Sequence, residues 1–345
     1  MKMKALVTGG SGYFGALLRD KLIASGYEVS IFDLVDVDDR PRDVQFFGGD
    51  ICDLPAVQKA VDGADVVFHC VAQVPLAKDK ELFERVNYDG TINLLESCHK
   101  AGTKKLVIVS SSAVFGVPKS NPVTELTEPS PIEDYGKAKH RAEVASMSFA
   151  QKTGLDVTVV RPRTILGHGR LGIFEILFDW IADGKDVYVL GSGDNLYQFV
   201  HADDLAEACI LASKRPGSTI YNVGAENFTT MRKSLEGLVA HAKTGSGVRS
   251  LPMGLTAFAM KALSLLGLAP FAPYHWIMYG KEMYFDVSKA KSELGWKANY
   301  SNVAMMCHSY DWYLQNREQI KLAKGLSPHR SAVRQGLLKL VKKMS

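Results

Sequence analysis

Thr8-Gly9-Gly10-Ser11-Gly12-Tyr13-Phe14-Gly15 is the stretch on which the fold turns. Ahead of it, Lys4 to Thr8 (Lys-Ala-Leu-Val-Thr) reads as a short buried strand; beyond it, Phe14 to Ala24 reads as an amphipathic helix. Gly9, Gly12 and Gly15 fall at the spacing of a strand-to-helix phosphate loop. The first allows a tight turn, the second admits a pyrophosphate to the backbone, and the third packs helix against strand. Free N–H groups and the positive dipole end of the helix favour an anion at Tyr13 and Phe14. A glycine-rich turn without a ligand fits the same letters.

The next strand weighs against that plainer reading. Glu28 to Phe32 (Glu-Val-Ser-Ile-Phe) reads as strand, with Asp33 at its end, about 20 residues past the loop. A carboxylate there accepts hydrogen bonds from an adenosine ribose and repels a 2′-phosphate. Acidic residues follow at Asp36, Asp38 and Asp39, so NAD is favoured over NADP. Phe46 to Ile51 reads as a third strand ending at Asp50 and Ile51. Asp50 either meets the adenine amino group or caps a helix, and both readings stand.

A second device lies about a hundred residues on. Lys105 to Val109 reads as a central strand, and it ends in Ser110-Ser111-Ser112. Side chains at the C-terminal ends of parallel strands lie where open α/β sheets bind ligands. Tyr135 and Lys139, four apart, share one face of a helix. A free phenol titrates near 10, too high for a base at neutral pH. A neighbouring ammonium and a cationic nicotinamide favour the phenolate and lower that value. Ser111 then orients a substrate oxygen toward Tyr135. Together the two devices predict hydride transfer between a carbinol and a nicotinamide.

With these motifs the chain resembles an extended short-chain dehydrogenase/reductase over roughly residues 1 to 315. The resemblance implies pyrophosphate binding by Thr8 to Gly15, ribose binding by Asp33 and adenine binding by Asp50. It implies a cofactor-lining strand at His69-Cys70-Val71-Ala72, with Asn87 on the following helix. Ser111, Tyr135 and Lys139 match the catalytic trio, Lys139 also reaching the nicotinamide ribose, and Arg161-Pro162 matches the segment near the carboxamide.

The chain has 345 residues and 46% hydrophobic content, enough for a large core. Alternating strand and helix patterns to about residue 160 predict a Rossmann-type, doubly wound parallel α/β sheet. Residues 1–165 are expected to hold the cofactor, with later segments completing the sheet. Residues 166–318 are expected to form mainly a smaller, interleaved substrate lobe, and a homodimer is the expected assembly. Five scattered cysteines lack partners at metal spacing, so no metal is expected. An odd cysteine count and an N-terminus running straight into a strand predict a cytoplasmic protein. A formal net charge of +4 is too small to imply nucleic acid.

Residues 319–345 carry eight Lys, Arg or His and no acid. On a helix, Val333, Leu337, Leu340, Val341 and Met344 form one stripe, which fits a basic amphipathic tail on an anionic membrane, a solvated tail or an oligomer contact. The apolar stretch Leu251 to Tyr279 is too short and too broken to span a bilayer, which needs about 20 apolar residues. A core helix is its default reading, with a lid over an apolar pocket or a surface-dipping helix as the alternatives.

For the substrate, nucleotide-sugar members of the resembled family have Asn where Thr164 stands here, and a diphosphate-binding Arg where Tyr197 stands. Losing such a charge-assisted contact costs about 1.5–3 kcal/mol; Arg163 or Arg170 could substitute. The carboxyl pair of 4,6-dehydratases is missing after Ser111. Gly191 to Val200 resembles the 3β-hydroxysteroid dehydrogenase pattern, and Lys80 to Thr91 and Gly26 to Val29 are similar to the sterol-4α-carboxylate 3-dehydrogenase (decarboxylating) group. The expectation is NAD-dependent oxidation of a sterol-like 3β-hydroxyl, with loss of any C4 carboxylate. A nucleotide-sugar 4-epimerase is the rival, and an NAD(H)-sensing protein without catalysis the second. Glu133 and Asp134 read as substrate contacts or first-turn acids, and His201 as preceding an Asp-capped helix.

Overall fold

The computed structural model describes residues 2–74, 80–170, 172–265, 278, 280–322 and 342. The chain runs through β1 (Lys4–Thr8), α1 (Tyr13–Ala24), β2 (Glu28–Asp33), β3 (Gln45–Gly48), α2 (Leu54–Val61) and β4 (Val66–His69). After α3 (Lys80–Glu84) come a π-helical turn at Arg85–Asp89, α4 (Gly90–Ala101) and β5 (Lys105–Val109). A 3₁₀ turn at Ser112–Phe115, α5 (Asp134–Thr153) and β6 (Val157–Pro162) follow. The second half comprises β7 (Thr164–Leu166), α6 (Ile173–Ala182), β8 (Val187–Leu190), β9 (Leu196–Tyr197), β10 (Phe199–His201), α7 (Ala202–Lys214) and β11 (Thr219–Val223). Then come β12 (Thr229–Thr230), α8 (Met231–Ala242), β13 (Val248–Leu251), α9 (Met253–Leu265), α10 (Ser288–Leu294) and α11 (Asn302–Leu322).

Seven strands make one sheet in the order β3-β2-β1-β4-β5-β6-β11, and every pairing in it is parallel. The order reverses between β1 and β4, which opens a crevice at their C-terminal ends. Both faces of the sheet are covered. Ala5 and Val7 pack with Leu18 and Leu22 of α1 and Leu205 of α7. Leu6, between them in sequence, packs on the other side with Val57 of α2 and Leu94 of α4. Strands buried on two faces have no polar side, so they read in the sequence as unbroken apolar runs. Each such Leu or Val contributes about 1.5–3 kcal/mol on burial.

A second core gathers Phe178, Trp180 and Ile181 of α6, Val187 and Val189 of β8, Leu235 of α8, and Met306, Tyr310 and Tyr313 of α11. β7 and β10 pair there as a separate two-stranded sheet, while β11 returns to the edge of the main one. The two halves are therefore interleaved.

Several sequence readings change. The third strand stops at Gly48 and Asp50 lies beyond it, because α2 is capped by Asp53, which accepts from the Ala56 N–H. α7 is capped by His201, whose ring accepts from the Asp203 N–H at 3.1 Å. Asp204 instead takes the N–H groups of Asn299 and Tyr300 and the Asn299 amide. α9 is not a core helix, since Leu255 is 70% and Phe258 71% exposed. In the tail, Lys342 pairs with Asp179 and Asp183 of the α6 end. The proposed apolar stripe of Val333, Leu337, Leu340, Val341 and Met344 lies outside the described residues. No helix among the described residues is long and apolar enough to cross a membrane.

Behind β5 and β6 lies a buried ion pair. Arg161 donates from Nη2 to Glu143 at 2.6 Å and from Nε at 3.0 Å, and both side chains are nearly fully buried. Ser110 also donates to Glu143, and the Arg161 guanidinium stacks over Phe115 at 5.0 Å. Removing one partner strands a buried charge. Arg161→Leu is expected to destabilise by about 3–5 kcal/mol, and Arg161→Leu with Glu143→Leu by much less, read by urea unfolding. Equal losses in single and double variants would contradict this account of the pair.

Candidate active site

The crevice between β1 and β4 continues into a cavity of about 670 Å³. Gly9 turns the chain at φ 73°, and its N–H donates to the Phe32 carbonyl at 2.8 Å. A Cβ on Gly9 would stand 2.9 Å from the Cys70–Val71 peptide, and one on Gly15 would stand 2.0 Å from the Gly9 carbonyl oxygen. Both positions are closed to any side chain, so the loop and α1 can approach β4 only as glycine. Gly10, which the spacing argument passes over, is also required: its Cβ would meet Ile31 at 2.4 Å.

Of the sequence-predicted residues, Gly9, Gly12, Tyr13, Phe14, Gly15, Asp33, Asp50, Ile51, Val71, Ala72, Ser111, Tyr135 and Pro162 all line the cavity. Asp33 holds the glycine loop by accepting from the Ser11 N–H at 3.0 Å. Asn87 and Lys139 are not in the wall. Asn87 is spent on Gln73, accepting its N–H at 2.8 Å and donating to its carbonyl at 3.0 Å. It thus fastens the segment after β4 from behind. His69 does the same for β4: its ring bridges Thr8 at 2.8 Å and Thr91 at 3.1 Å, and burial pushes its pKa down to about 3.

These residues fit a dinucleotide. The glycine cradle would be filled by any Cβ, the α1 N-terminus opens onto it, and the Tyr13 hydroxyl is buried there without a partner among the described residues. Val71, Ala72 and Pro162 offer apolar surface to rings.

Three serines at the end of β5 divide their work. Ser110 donates to Glu143 and Ser112 accepts from Arg163 at 2.9 Å. Ser111 caps the 3₁₀ turn by accepting from the Ala113 N–H at 3.1 Å, which leaves its O–H to donate into the cavity. Tyr135 stands across from it on the first turn of α5, edge-on to Phe83 at 6.1 Å. One turn deeper, Lys139 donates to the Val109 carbonyl at 2.8 Å. Burial lowers its pKa to about 8, with Glu143 opposing the shift. Its ammonium therefore sits beneath Tyr135 in a low-dielectric setting, where it favours a phenolate.

The substrate end carries groups that sequence reasoning missed or placed loosely. Arg163 is 1% exposed and lines the cavity. It donates to Ser112, stacks over Tyr197 at 4.9 Å and Phe285 at 5.7 Å, and keeps Nε and Nη2 without a partner among the described residues. Arg170 adds a second guanidinium 5.5 Å over the Tyr13 ring, its Nε likewise unmatched. Glu133 takes the N-cap position of α5, but its side chain makes no capping hydrogen bond. Its Oε1 is buried in the cavity wall without a partner among the described residues, and burial, with Asp134 next, raises its pKa to about 7. Of the two sequence readings of Glu133, a substrate contact or a first-turn acid, its place in the cavity wall fits the first. Thr164 and Tyr197, standing where nucleotide-sugar enzymes were expected to have Asn and Arg, join each other at 2.9 Å.

A family model described as NAD dependent epimerase/dehydratase matches residues 5–224. The chain belongs to that family. It is an NAD-dependent enzyme of the short-chain dehydrogenase/reductase type. It is 52% identical over 337 residues to the uncharacterized protein y4nG of Sinorhizobium fredii, spanning 98% of this chain and 85% of that one. It is 30% identical to the mouse sterol-4-alpha-carboxylate 3-dehydrogenase, decarboxylating, spanning 85% and 86%. Among solved structures, the Thermotoga maritima UDP-glucose 4-epimerase with UDP-glucose superposes with a TM-score of 0.77 at 25% identity, covering 91% of this chain and 100% of that one.

The Lys139 shift has a kinetic consequence. The ammonium is present below about pH 8 and lost above it, so its support for the Tyr135 phenolate fades as pH rises. The rate of alcohol oxidation should fall above pH about 8, and Lys139→Met should abolish that limb while lowering kcat about 10²–10⁴-fold. A profile that keeps its alkaline limb in Lys139→Met would assign the limb to another group.

Proposed function

We propose that this enzyme oxidises the ring hydroxyl of a carboxylated, sterol-like lipid to a ketone, followed by loss of the carboxylate as CO₂. The observation that carries this reading is Arg163, a buried guanidinium whose Nε and Nη2 have no hydrogen-bond partner among the described residues, in an otherwise largely apolar cavity. A buried cation without a counter-ion is costly, and a substrate carboxylate supplies the charge and the bidentate acceptor. The likeness to the mouse sterol-4-alpha-carboxylate 3-dehydrogenase supports the same substrate class.

NAD, when bound, supplies the hydride acceptor. Ser111 and Tyr135 hold the carbinol oxygen, and Tyr135 takes its proton with Lys139 favouring the phenolate. In the resulting β-keto acid, the C–C bond to the carboxylate breaks and its electron pair moves to the enolate oxygen. The hydroxyls of Tyr135 and Ser111 hold that oxyanion. Glu133, neutral below about pH 7, then returns a proton to carbon and is left as carboxylate. Arg163 acts on binding, because the charge it pairs is the one released.

The epimerase reading rests on the likeness to the Thermotoga maritima enzyme. Against it, the Thr164–Tyr197 hydrogen bond occupies the two positions where that chemistry was expected to place diphosphate contacts.

Purified enzyme with NAD should form NADH on a 3β-hydroxysterol 4-carboxylate and release CO₂. Arg163→Met should raise KM for the acid about 10–100-fold while leaving the neutral 3β-hydroxysterol unaffected. Silence toward sterols together with epimerisation of a UDP-sugar would overturn the proposal.

A further inference from the structure

Three histidines far apart in sequence meet outside the cavity. His168 follows β7, His201 ends β10 and His308 lies on α11, with one ring nitrogen of each within 4.8 Å of the others. His201 is buried, while His168 and His308 are half-buried, so solvent reaches the group. His201 Nε2 stands 2.9 Å from His308 Nδ1. The flat face of Tyr300, 3.7 Å from the His201 ring, holds that ring in place. None of the three serves the reaction above, and no spacing along the chain reveals them.

We propose that His168, His201 and His308 form a binding site for a divalent transition-metal ion of the zinc class. Three imidazoles and one open position make a tetrahedral set that suits zinc. Nitrogens about 2.0–2.1 Å from a tetrahedral ion stand about 3.3 Å apart, so the His201–His308 contact need open only a few tenths of an ångström. Burial lowers the pKa of His201 to about 4 and that of His168 as well, which favours the neutral, ligating form of these two rings at pH 7.

The proton balance is explicit. In the metal-free chain His201 Nδ1 accepts the Asp203 N–H, so its proton is on Nε2 and is donated to His308. On binding, Nε2 becomes a ligand and that proton moves to Nδ1. There the Asp203 carboxylate, 3.6 Å away, takes it in place of the backbone contact. This is the carboxylate–histidine–metal arrangement that orients such ligands. Lys21, 3.0 Å from the same carboxylate, places a positive charge near the group and works against the ion.

The site's place gives it a role. The Gly167 N–H already donates to Ser309 at 3.0 Å, beside His308. An ion on His168 and His308 would be a second tie between α11 and the loop that carries Arg170.

The test uses the full-length protein after EDTA treatment, titrated calorimetrically with Zn²⁺ and, in parallel, spectroscopically with Co²⁺. The expected result is one ion per chain and a rise in Tm. His308→Ala and the milder His168→Gln should each weaken binding at least about 100-fold while NAD binding is retained. The cobalt spectrum should show tetrahedral d–d bands without thiolate charge transfer. Absence of saturable binding, binding that survives both substitutions, or thiolate bands from the cysteines would overturn the proposal.

Discussion

Gly9 passes so close to the Cys70–Val71 peptide that a methyl group at that position would stand 2.9 Å from it. The rest of the site depends on this approach. It brings the N-terminus of α1 over the point where the sheet order reverses between β1 and β4. Gly15, against the Gly9 carbonyl, keeps the helix seated, and Asp33 grips the loop through the Ser11 N–H. The crevice is thereby shaped by backbone, and the side chains around it are left for chemistry.

Support for the chemistry comes from behind the wall. Lys139 does not line the cavity, yet its burial and its bond to the Val109 carbonyl set the charge beneath Tyr135. Glu143 and Arg161 neutralise each other next to it and hold Ser110. Asn87 and His69 brace the segment around the end of β4. Arg163 and Arg170 add two guanidinium groups to the wall of the cavity, Arg170 against Tyr13 of the glycine loop and Arg163 against Tyr197.

Much of this was legible in the sequence, and for identifiable reasons. β1, β5 and the first helix announce themselves because a strand buried on two faces must be apolar throughout and a phosphate loop must be glycine. Tyr135 and Lys139 are legible because helical spacing is local. What escaped depends on tertiary contacts. The third strand ends early where Gly49 packs on Phe32 and Ala56, and Asp53 rather than Asp50 caps α2. For Glu133 the sequence leaves a substrate contact and a first-turn acid side by side, and only the fold shows its oxygen buried without a partner among the described residues. The isolation of Arg163 and the meeting of residues 168, 201 and 308 are likewise properties of the fold alone.

The central claim is that one cavity couples hydride removal from a carbinol to cleavage of a neighbouring carboxylate. The most direct measurement follows two labels from a single substrate, a 3β-hydroxysterol 4-carboxylate carrying deuterium at C3 and ¹³C in the carboxyl. The account predicts one deuterium in the reduced nicotinamide for each ¹³CO₂ released, and no ¹³CO₂ before NAD is added. Release of ¹³CO₂ without deuterium transfer, or deuterium transfer with the labelled carboxylate still in place on the ketone product, would contradict it.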